Sequence, residues 1–156
     1  MYSNELVCQI LDFLDENINR KIVIDEIANK FIYNRYYIMK LFKRELGITI
    51  FEYINKMRIY NAMFLIKNSS YSLTRIAIMN GFYSLEYFSE TFHNIVGVSP
   101  LIFKGYCKYN HTKHEKDLKT ISNSWVLLQE FVDFVHEYKK KKKPNVLPVL
   151  KRSIFN

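Results

Sequence analysis

The feature that most constrains the fold of this chain is an internal repeat at an offset of 49 to 50 residues. Ile27-Ala28 in the first copy recurs as Ile76-Ala77 in the second. At an offset of 50, the later correspondences are Asn34 with Ser84, Tyr37 with Tyr87, Ile38 with Phe88, Phe42 with Phe92, Gly47 with Gly97, and Thr49 with Ser99. Self-similarity of this kind indicates that one supersecondary unit occurs twice.

Each copy of the repeat predicts a short helix, a tight turn and a longer helix. An N-cap residue opens the longer helix, Asn34 in the first copy and Ser84 in the second. In the first copy, the apolar residues at helical spacing are Tyr37, Ile38, Leu41 and Phe42, which we expect to be buried. A short helix, a turn and a second amphipathic helix form the helix-turn-helix pattern.

The segments around the two copies also favour helices. Thr49 and Glu52 have the spacing of a capping box and begin a connector helix predicted to reach about Lys67. Ser99-Pro100 begins a short helix predicted to end at Phe103. Near the start of the chain, a helical stripe is formed by Leu6, Val7, Ile10, Leu11, Leu14 and Ile18. We therefore predict an all-α fold with seven helices up to residue 104 and no strand.

The charge and the composition narrow the functional class. The net charge is +8; residues 1–104 contain 12 basic and 10 acidic residues, whereas residues 105–156 contain 11 and 5. A basic chain favours nucleic acid or an anionic surface as its partner. No apolar run approaches the roughly 18 residues that span a bilayer, and the N-terminus does not resemble a secretory signal. Cys8 and Cys107 are expected to be reduced thiols in a cytoplasmic protein.

The spaced anchors of the repeat resemble those of the DNA-binding domain of AraC/XylS-type transcription regulators. The residues that carry the resemblance in the second copy are Ile76, Ala77, Gly81, Phe82, Ser84, Tyr87, Phe88, Ser89, Phe92, Gly97 and Pro100. In the first copy and the connector they are Phe42, Gly47, Tyr53, Arg58 and Ala62. The resemblance covers about residues 6–104. It implies a bacterial regulator whose two helix-turn-helix units enter successive major grooves of double-stranded DNA, held apart by a rigid connector helix.

The first recognition helix has a cationic outward face. Its exposed residues are predicted to be Arg35, Tyr36, Met39, Lys40, Lys43 and Arg44. The resemblance implies that Tyr36, Met39 and Lys40 contact base edges, where lysine can donate to guanine. The other three cations are better placed for phosphates, whose contacts position the protein without reading sequence. The plainer alternative is an ordinary solvated helix face.

The second recognition helix is predicted to contact DNA differently. Its outward face carries Leu85, Glu86, Ser89, Glu90 and His93. The acid at position 90 corresponds to Lys40 of the first copy, and the resemblance leads one to expect arginine there. The first copy also departs from the family pattern, because Ile32 stands where the second copy has Gly81 and Val23 stands at a helix cap. We expect the two units to be unequal DNA binders.

Residues 105–156 are predicted to form a second region, distinct from the DNA-binding domain at residues 1–104. A polar connector is expected over residues 105–122, followed by an amphipathic helix and a polybasic tail at residues 139–143. The apolar stripe of that helix is Trp125, Leu128, Phe131, Val132 and Val135. Such a helix needs a partner, which is either the preceding domain, a second copy of the chain or RNA polymerase. The lysines are either a solvated helix end or a phosphate-binding tail.

Other functional classes fit the sequence less well. We find no catalytic constellation, so we predict that the chain is not an enzyme. Cys107, His111 and His114 lack the spacing of a structural zinc site, and we predict no metal or cofactor. Fifty residues with one clear helix are too few for a usual effector pocket, and a monomer is favoured. The alternative function is a protein-interaction module that binds DNA weakly and acts through its C-terminal helix.

Overall fold

A computed structural model of the chain describes residues 3–109 and 115–142. Within these residues the secondary structure consists of α-helices, as the sequence predicts, and contains no strand. The helices are α1 (Ser3–Asn17), α2 (Ile24–Phe31), α3 (Arg35–Leu46), α4 (Ile50–Asn68), α5 (Leu73–Met79), α6 (Leu85–Val96), α7 (Pro100–Tyr109) and α8 (Glu115–Lys142). The two helix-turn-helix units are α2–α3 and α5–α6, and α4 is the connector.

The predicted helix starts are confirmed by their capping hydrogen bonds. The Thr49 hydroxyl accepts from the backbone N–H of Glu52, whose carboxylate accepts from the backbone N–H of Thr49 at 2.7 Å. Asn34 and Ser84 accept in the same way at the starts of α3 and α6. Val23 provides no side-chain cap for α2. These local interactions determine where each recognition helix begins.

The connector helix α4 forms the centre of the hydrophobic core. It packs against α3, α5, α6, α7 and α8. The ring of Tyr53 is fully buried and lies edge-on to Phe42 of α3 and Phe131 of α8, with centroid distances of 5.8 and 6.0 Å. Its hydroxyl donates to Asp15 of α1 at 2.6 Å, and burial, with the Asp15 charge, raises the pKa of this tyrosine. One core therefore joins the first unit, the connector and the last helix.

The prediction of a polar connector over residues 105–122 is wrong for the described residues of that segment, 105–109 and 115–122, which are helical. Helix α7 continues past Phe103 to Tyr109, and α8 begins at Glu115 and is 28 residues long. The composition of this segment is polar, but Ile121 falls on the same seven-residue spacing as Leu128 and Val135, and all three are buried. Helical periodicity extends further toward the N-terminus than the polar composition indicates.

Helix α8 packs on its own chain, against α1, α4 and α6. The Lys139 ammonium lies 2.9 Å from an Asp12 carboxylate oxygen and 2.6 Å from an Asp15 oxygen. Burial lowers the pKa of Lys139, but the two carboxylates outweigh it and hold that pKa above its ordinary value. The Tyr138 hydroxyl donates to Glu45 at 3.1 Å. Lys139 is therefore not a solvated tail lysine, and Lys143 lies outside the described residues.

The first turn has a left-handed backbone at a β-branched residue. Ile32 has φ 60° and ψ 44°, and it is 90% exposed. Gly81, at the equivalent place in the second copy, has φ 77°. A β-branched side chain is disfavoured in this region by roughly 1–2 kcal/mol. The sequence predicts that this turn either avoids positive φ or is strained, and the structure shows the strained form.

Ile32→Gly is expected to raise the free energy of unfolding by about 1 kcal/mol. Glycine adopts this backbone without strain, although its greater freedom in the unfolded chain offsets part of the gain. Denaturant unfolding of the two proteins measures the difference. Ile32→Ala is the control, because it removes the exposed side chain but retains Cβ. It should raise the free energy of unfolding by less than Ile32→Gly does. An unchanged midpoint in Ile32→Gly would show that the turn is not strained.

Candidate nucleic-acid interface

The first recognition helix, α3, is held by its buried face. Ile38, Leu41, Phe42 and Leu46 are buried against α1, α2 and α4. Gly47 ends the helix with φ 76° and donates its backbone N–H to the Lys43 carbonyl at 2.8 Å. Because both ends and the apolar face are fixed, the orientation of the opposite face is fixed too.

The six residues predicted on the outward face of α3 are all exposed: Arg35, Tyr36, Met39, Lys40, Lys43 and Arg44. Tyr36 is 68% exposed, the largest fraction among the apolar side chains of this helix. The prediction that Tyr37 is buried is wrong, since it is 45% exposed. In the first turn of a helix no preceding turn covers the side chain, and here the ring of Tyr37 packs on Tyr33 instead of on the core.

The cations of this face differ in how they are engaged. The Arg35 guanidinium lies 3.3 Å from an Asp25 carboxylate oxygen, whose hydrogen bond raises the pKa of that arginine. The Arg44 guanidinium lies 3.5 Å from a Glu45 oxygen. Lys40 and Lys43 form no ion pair with any residue in the described ranges. The two lysines are therefore the cations most available to an anionic ligand.

The second recognition helix, α6, repeats the scaffold of α3 but not its charge. Phe88, Thr91, Phe92 and Val96 are buried, and Gly97 ends the helix with φ 87°. The predicted outward residues are exposed except Ser89, which is half-buried: Leu85, Glu86, Ser89, Glu90 and His93. Helix α6 contains no lysine or arginine. The backbone of the unit is thus duplicated while its surface chemistry is changed.

Each recognition helix also begins beside a stacked pair of tyrosines. Tyr33 and Tyr37 have ring centroids 5.3 Å apart and an interplanar angle of 20°. Tyr83 and Tyr87 have the same arrangement at 4.9 Å and 14°. The repeat aligns Tyr37 with Tyr87, but the stacking of these residues on Tyr33 and Tyr83 was not predicted from it. The signal was present, because Tyr33 and Tyr83 are also 50 residues apart.

The structure contains no arrangement suited to metal binding within residues 3–109 and 115–142. Cys107 is half-buried, and burial raises the pKa of its thiol. His111 and His114, the other candidate ligands named from the sequence, lie outside the described residues. None of the helices in the described part of the chain is both long and apolar enough to span a bilayer.

Two helix-turn-helix units on one connector, with exposed recognition helices, define a DNA-binding domain of the double helix-turn-helix class. The family described as a helix-turn-helix domain matches residues 27–105. The chain is 32% identical to a probable transcription factor, PqrA of Proteus vulgaris, over 65% of this chain and 85% of that protein. It is 35% identical to the melibiose operon regulatory protein of Escherichia coli over 60% of this chain, and spans 31% of that protein.

A solved structure gives the same assignment. A transcriptional regulator of Chromobacterium violaceum, described as containing an AraC-type DNA-binding domain, is 25% identical, with a TM-score of 0.62 over 70% of this chain and 97% of that one. The chain belongs to the AraC-type helix-turn-helix family of transcription regulators. The resemblance noted from the sequence anchors is confirmed.

Proposed function

We propose that this protein regulates transcription by binding specific double-stranded DNA sites, with α3 and α6 in successive major grooves and the first unit dominant. The observation that carries this proposal is the exposed face of α3, where Lys40 and Lys43 form no ion pair with the described residues. Cations of this kind provide the sequence-independent attraction to phosphates. Tyr36, Met39 and Lys40 then read base edges, as the resemblance to the family implies.

We further propose that residues 1–104 contain the groups that contact DNA and that residues 105–156 support them. The support for this division is the packing of α8, whose Leu128, Val132 and Val135 are buried in the same core as the DNA-binding helices. That stripe is consequently not free to hold another protein, which disfavours the alternative of an interaction module acting through this helix. Cytoplasmic location, a monomeric state, contact with RNA polymerase, and the lack of catalysis or of an effector stay predictions.

The experiment that tests the proposal is a gel shift of the full chain on random duplex DNA, followed by selection of bound sites from a random pool. We expect binding to random duplex that weakens steeply with salt, and an enriched motif in the selected pool. An absence of binding at low salt, or enrichment of no motif, would contradict the proposal. Selected sites would also provide the duplex needed for the tests of single residues.

Lys40→Ala and Arg44→Ala are expected to weaken DNA binding in different ways. Loss of a base contact by Lys40→Ala should reduce affinity for the selected site by about 1–3 kcal/mol and relax preference at particular positions. Arg44→Ala should weaken every duplex alike and reduce the slope of log K against log salt by about 0.9. Titrations of selected and random duplexes at several salt concentrations measure both effects.

Lys119→Ala on α8 serves as the control for these two variants, because it removes one exposed lysine that lies on neither recognition helix. It should change neither specificity nor the slope appreciably. If Lys40→Ala lowered the affinity for selected and random duplexes equally, Lys40 would be a phosphate contact and not a reader of bases.

A further inference from the structure

The second helix-turn-helix unit presents a surface that is short of groups for binding a phosphate backbone. Its recognition helix contains no lysine or arginine, and Glu86 and Glu90 on its exposed face repel phosphates. If this unit enters a major groove, as the proposed function requires, other donors must contact the backbone beside it. The exposed cation of this unit, Arg75, lies on α5 and not on the recognition helix. On and next to α6, neutral hydroxyl and N–H donors are the remaining choice.

The stacked tyrosine pairs are placed to provide those donors. In each pair one member, Tyr33 or Tyr83, immediately precedes the N-cap, and the other lies in the first turn of the recognition helix. The N-terminal part of a recognition helix is the part that approaches DNA in helix-turn-helix proteins. Because the two pairs lie at equivalent positions, each can contact the DNA backbone at the start of its own recognition helix.

The hydroxyl groups of these tyrosines are largely available. Tyr83 is 83% exposed, and Tyr33 and Tyr37 are 37% and 45% exposed. The side chain of Asn55 on the connector donates to the Tyr87 hydroxyl at 3.4 Å and holds the inner member of the second pair. Among the residues that the structure describes, no side chain or backbone group hydrogen-bonds to the hydroxyl of Tyr33 or of Tyr83.

We propose that the Tyr33–Tyr37 and Tyr83–Tyr87 stacks dock the DNA backbone, with the hydroxyls of Tyr33 and Tyr83 donating hydrogen bonds to phosphate oxygens beside each recognition helix. The inner tyrosine positions the outer ring, and the outer hydroxyl makes the contact. In the second unit this contact takes the place of the cations that the first unit provides. The proposal rests on the DNA-binding function proposed above.

A purely structural role for the stacks is the competing explanation. A residue before the N-cap that packs on the first turn acts as a hydrophobic staple and fixes the entry angle of the chain. A staple stabilises by removing apolar surface from water, yet Tyr83 retains most of its exposure. Such a large exposed aromatic side chain with a hydroxyl is characteristic of binding surfaces.

Tyr33→Phe and Tyr83→Phe in the full-length chain test the proposal, because each retains the ring and the stack and removes only the hydroxyl. Each is expected to weaken binding to selected and random duplexes by about tenfold or more, as for loss of a hydrogen bond to a charged group. The slope of log K against log salt should stay the same, since a neutral hydroxyl releases no counterion. Tyr106→Phe on α7 is the matched control and should bind as the wild type does.

The outcomes separate this proposal from the DNA-binding function itself. Wild-type protein that binds no duplex would refute both. If the wild type binds DNA and Tyr83→Phe binds with the same affinity, only the docking role is refuted, and the stack acts as a hydrophobic staple. A loss confined to particular base positions, a reduced salt slope, or a lower melting temperature accompanying the loss would also overturn the phosphate contact. A uniform loss with an unchanged slope and an unchanged melting temperature supports it.

Discussion

Arg58→Leu is expected to lower the free energy of unfolding by about 3 kcal/mol, the largest stability effect among the substitutions considered. The Arg58 side chain is 8% exposed on the connector helix. Its Nε donates to the Ile18 carbonyl at 2.9 Å and its Nη2 to the Arg20 carbonyl at 2.6 Å. Leucine removes both hydrogen bonds, and a hydrogen bond made by a charged group contributes about 1.5–3 kcal/mol.

The contacts of Arg58 explain why its replacement should destabilise more than one part of the fold. The guanidinium lies 5.6 Å from the ring centroid of Phe82, in the second unit. A Cβ on Gly81 would lie 2.9 Å from Nη2, so this turn is closed tightly over the arginine. Burial lowers the pKa of Arg58, which reflects a desolvation that offsets part of its contribution. The side chain therefore connects the loop after α1, the connector and the second turn.

Denaturant unfolding of Arg58→Leu measures the effect, and melting should fall by roughly 6–12 °C for a chain of this size. Arg75→Leu on α5 is the matched control, because Arg75 is exposed and stacks on Tyr71 at 4.2 Å without comparable burial. That variant should change stability by less than about 0.5 kcal/mol. A loss under 1 kcal/mol in Arg58→Leu would show that Leu packing replaces the hydrogen bonds.

The parts of the fold that depend on local spacing were predictable from the sequence. The caps Asn34, Thr49 and Ser84 and the terminal Gly47 and Gly97 lie where the repeat predicts them. A cap requires one side chain near a backbone N–H a few residues away, so nearby sequence contains all the information needed. The apolar stripe of α1 was predictable for the same reason.

Contacts between distant segments were not predictable from spacing. The Lys139 ammonium meets Asp12 and Asp15 across more than 120 residues of chain, and nothing in the local pattern distinguishes it from the lysines that follow. The buried residues Ile121 and Val135 fix how α8 packs, and this packing places Lys139 beside the two aspartates. Because the sequence was divided by composition at residue 122, Ile121 was not included in the predicted helix.

The exposure of the candidate residues on α3 was predictable, but the aromatic geometry beside them was not. Helical periodicity identified the exposed cations of α3 correctly, since their side chains point away from the core. Periodicity predicted that Tyr37 is buried in the core, because its spacing from Leu41 is helical. In the structure Tyr37 stacks on Tyr33 in the preceding turn and stays exposed. Helical periodicity does not describe where a turn residue such as Tyr33 lies, so this contact could not be predicted.

Glu90→Arg is expected to strengthen binding to all duplexes by about tenfold at low salt and to steepen the salt slope by about 0.9. The repeat places Glu90 where the first unit has Lys40. Both side chains are exposed, and Glu90 forms no ion pair with another described residue that would have to be broken. The substitution thus replaces a repulsion by an attraction at one point of the second unit.

The same asymmetry predicts how the wild-type protein divides its binding between half-sites. Cations bind phosphates by default, whereas an acidic face must find a specific partner such as the amino group of cytosine. The first unit offers Lys40 and Lys43 at positions where the second offers Glu90 and His93. We therefore expect strong base preference and strong groove protection in one half-site, and loose preference in the other.

Groove protection and site selection with the wild type and Glu90→Arg decide between these possibilities. Glu130→Arg, an equal charge change at an exposed position of α8, controls for net charge and should raise affinity far less. Equal protection of both half-sites, with a fixed cytosine in the second that is lost in Glu90→Arg, would mean that Glu90 reads a base. The second unit would then be the selective one, and the dominance of the first unit would be wrong.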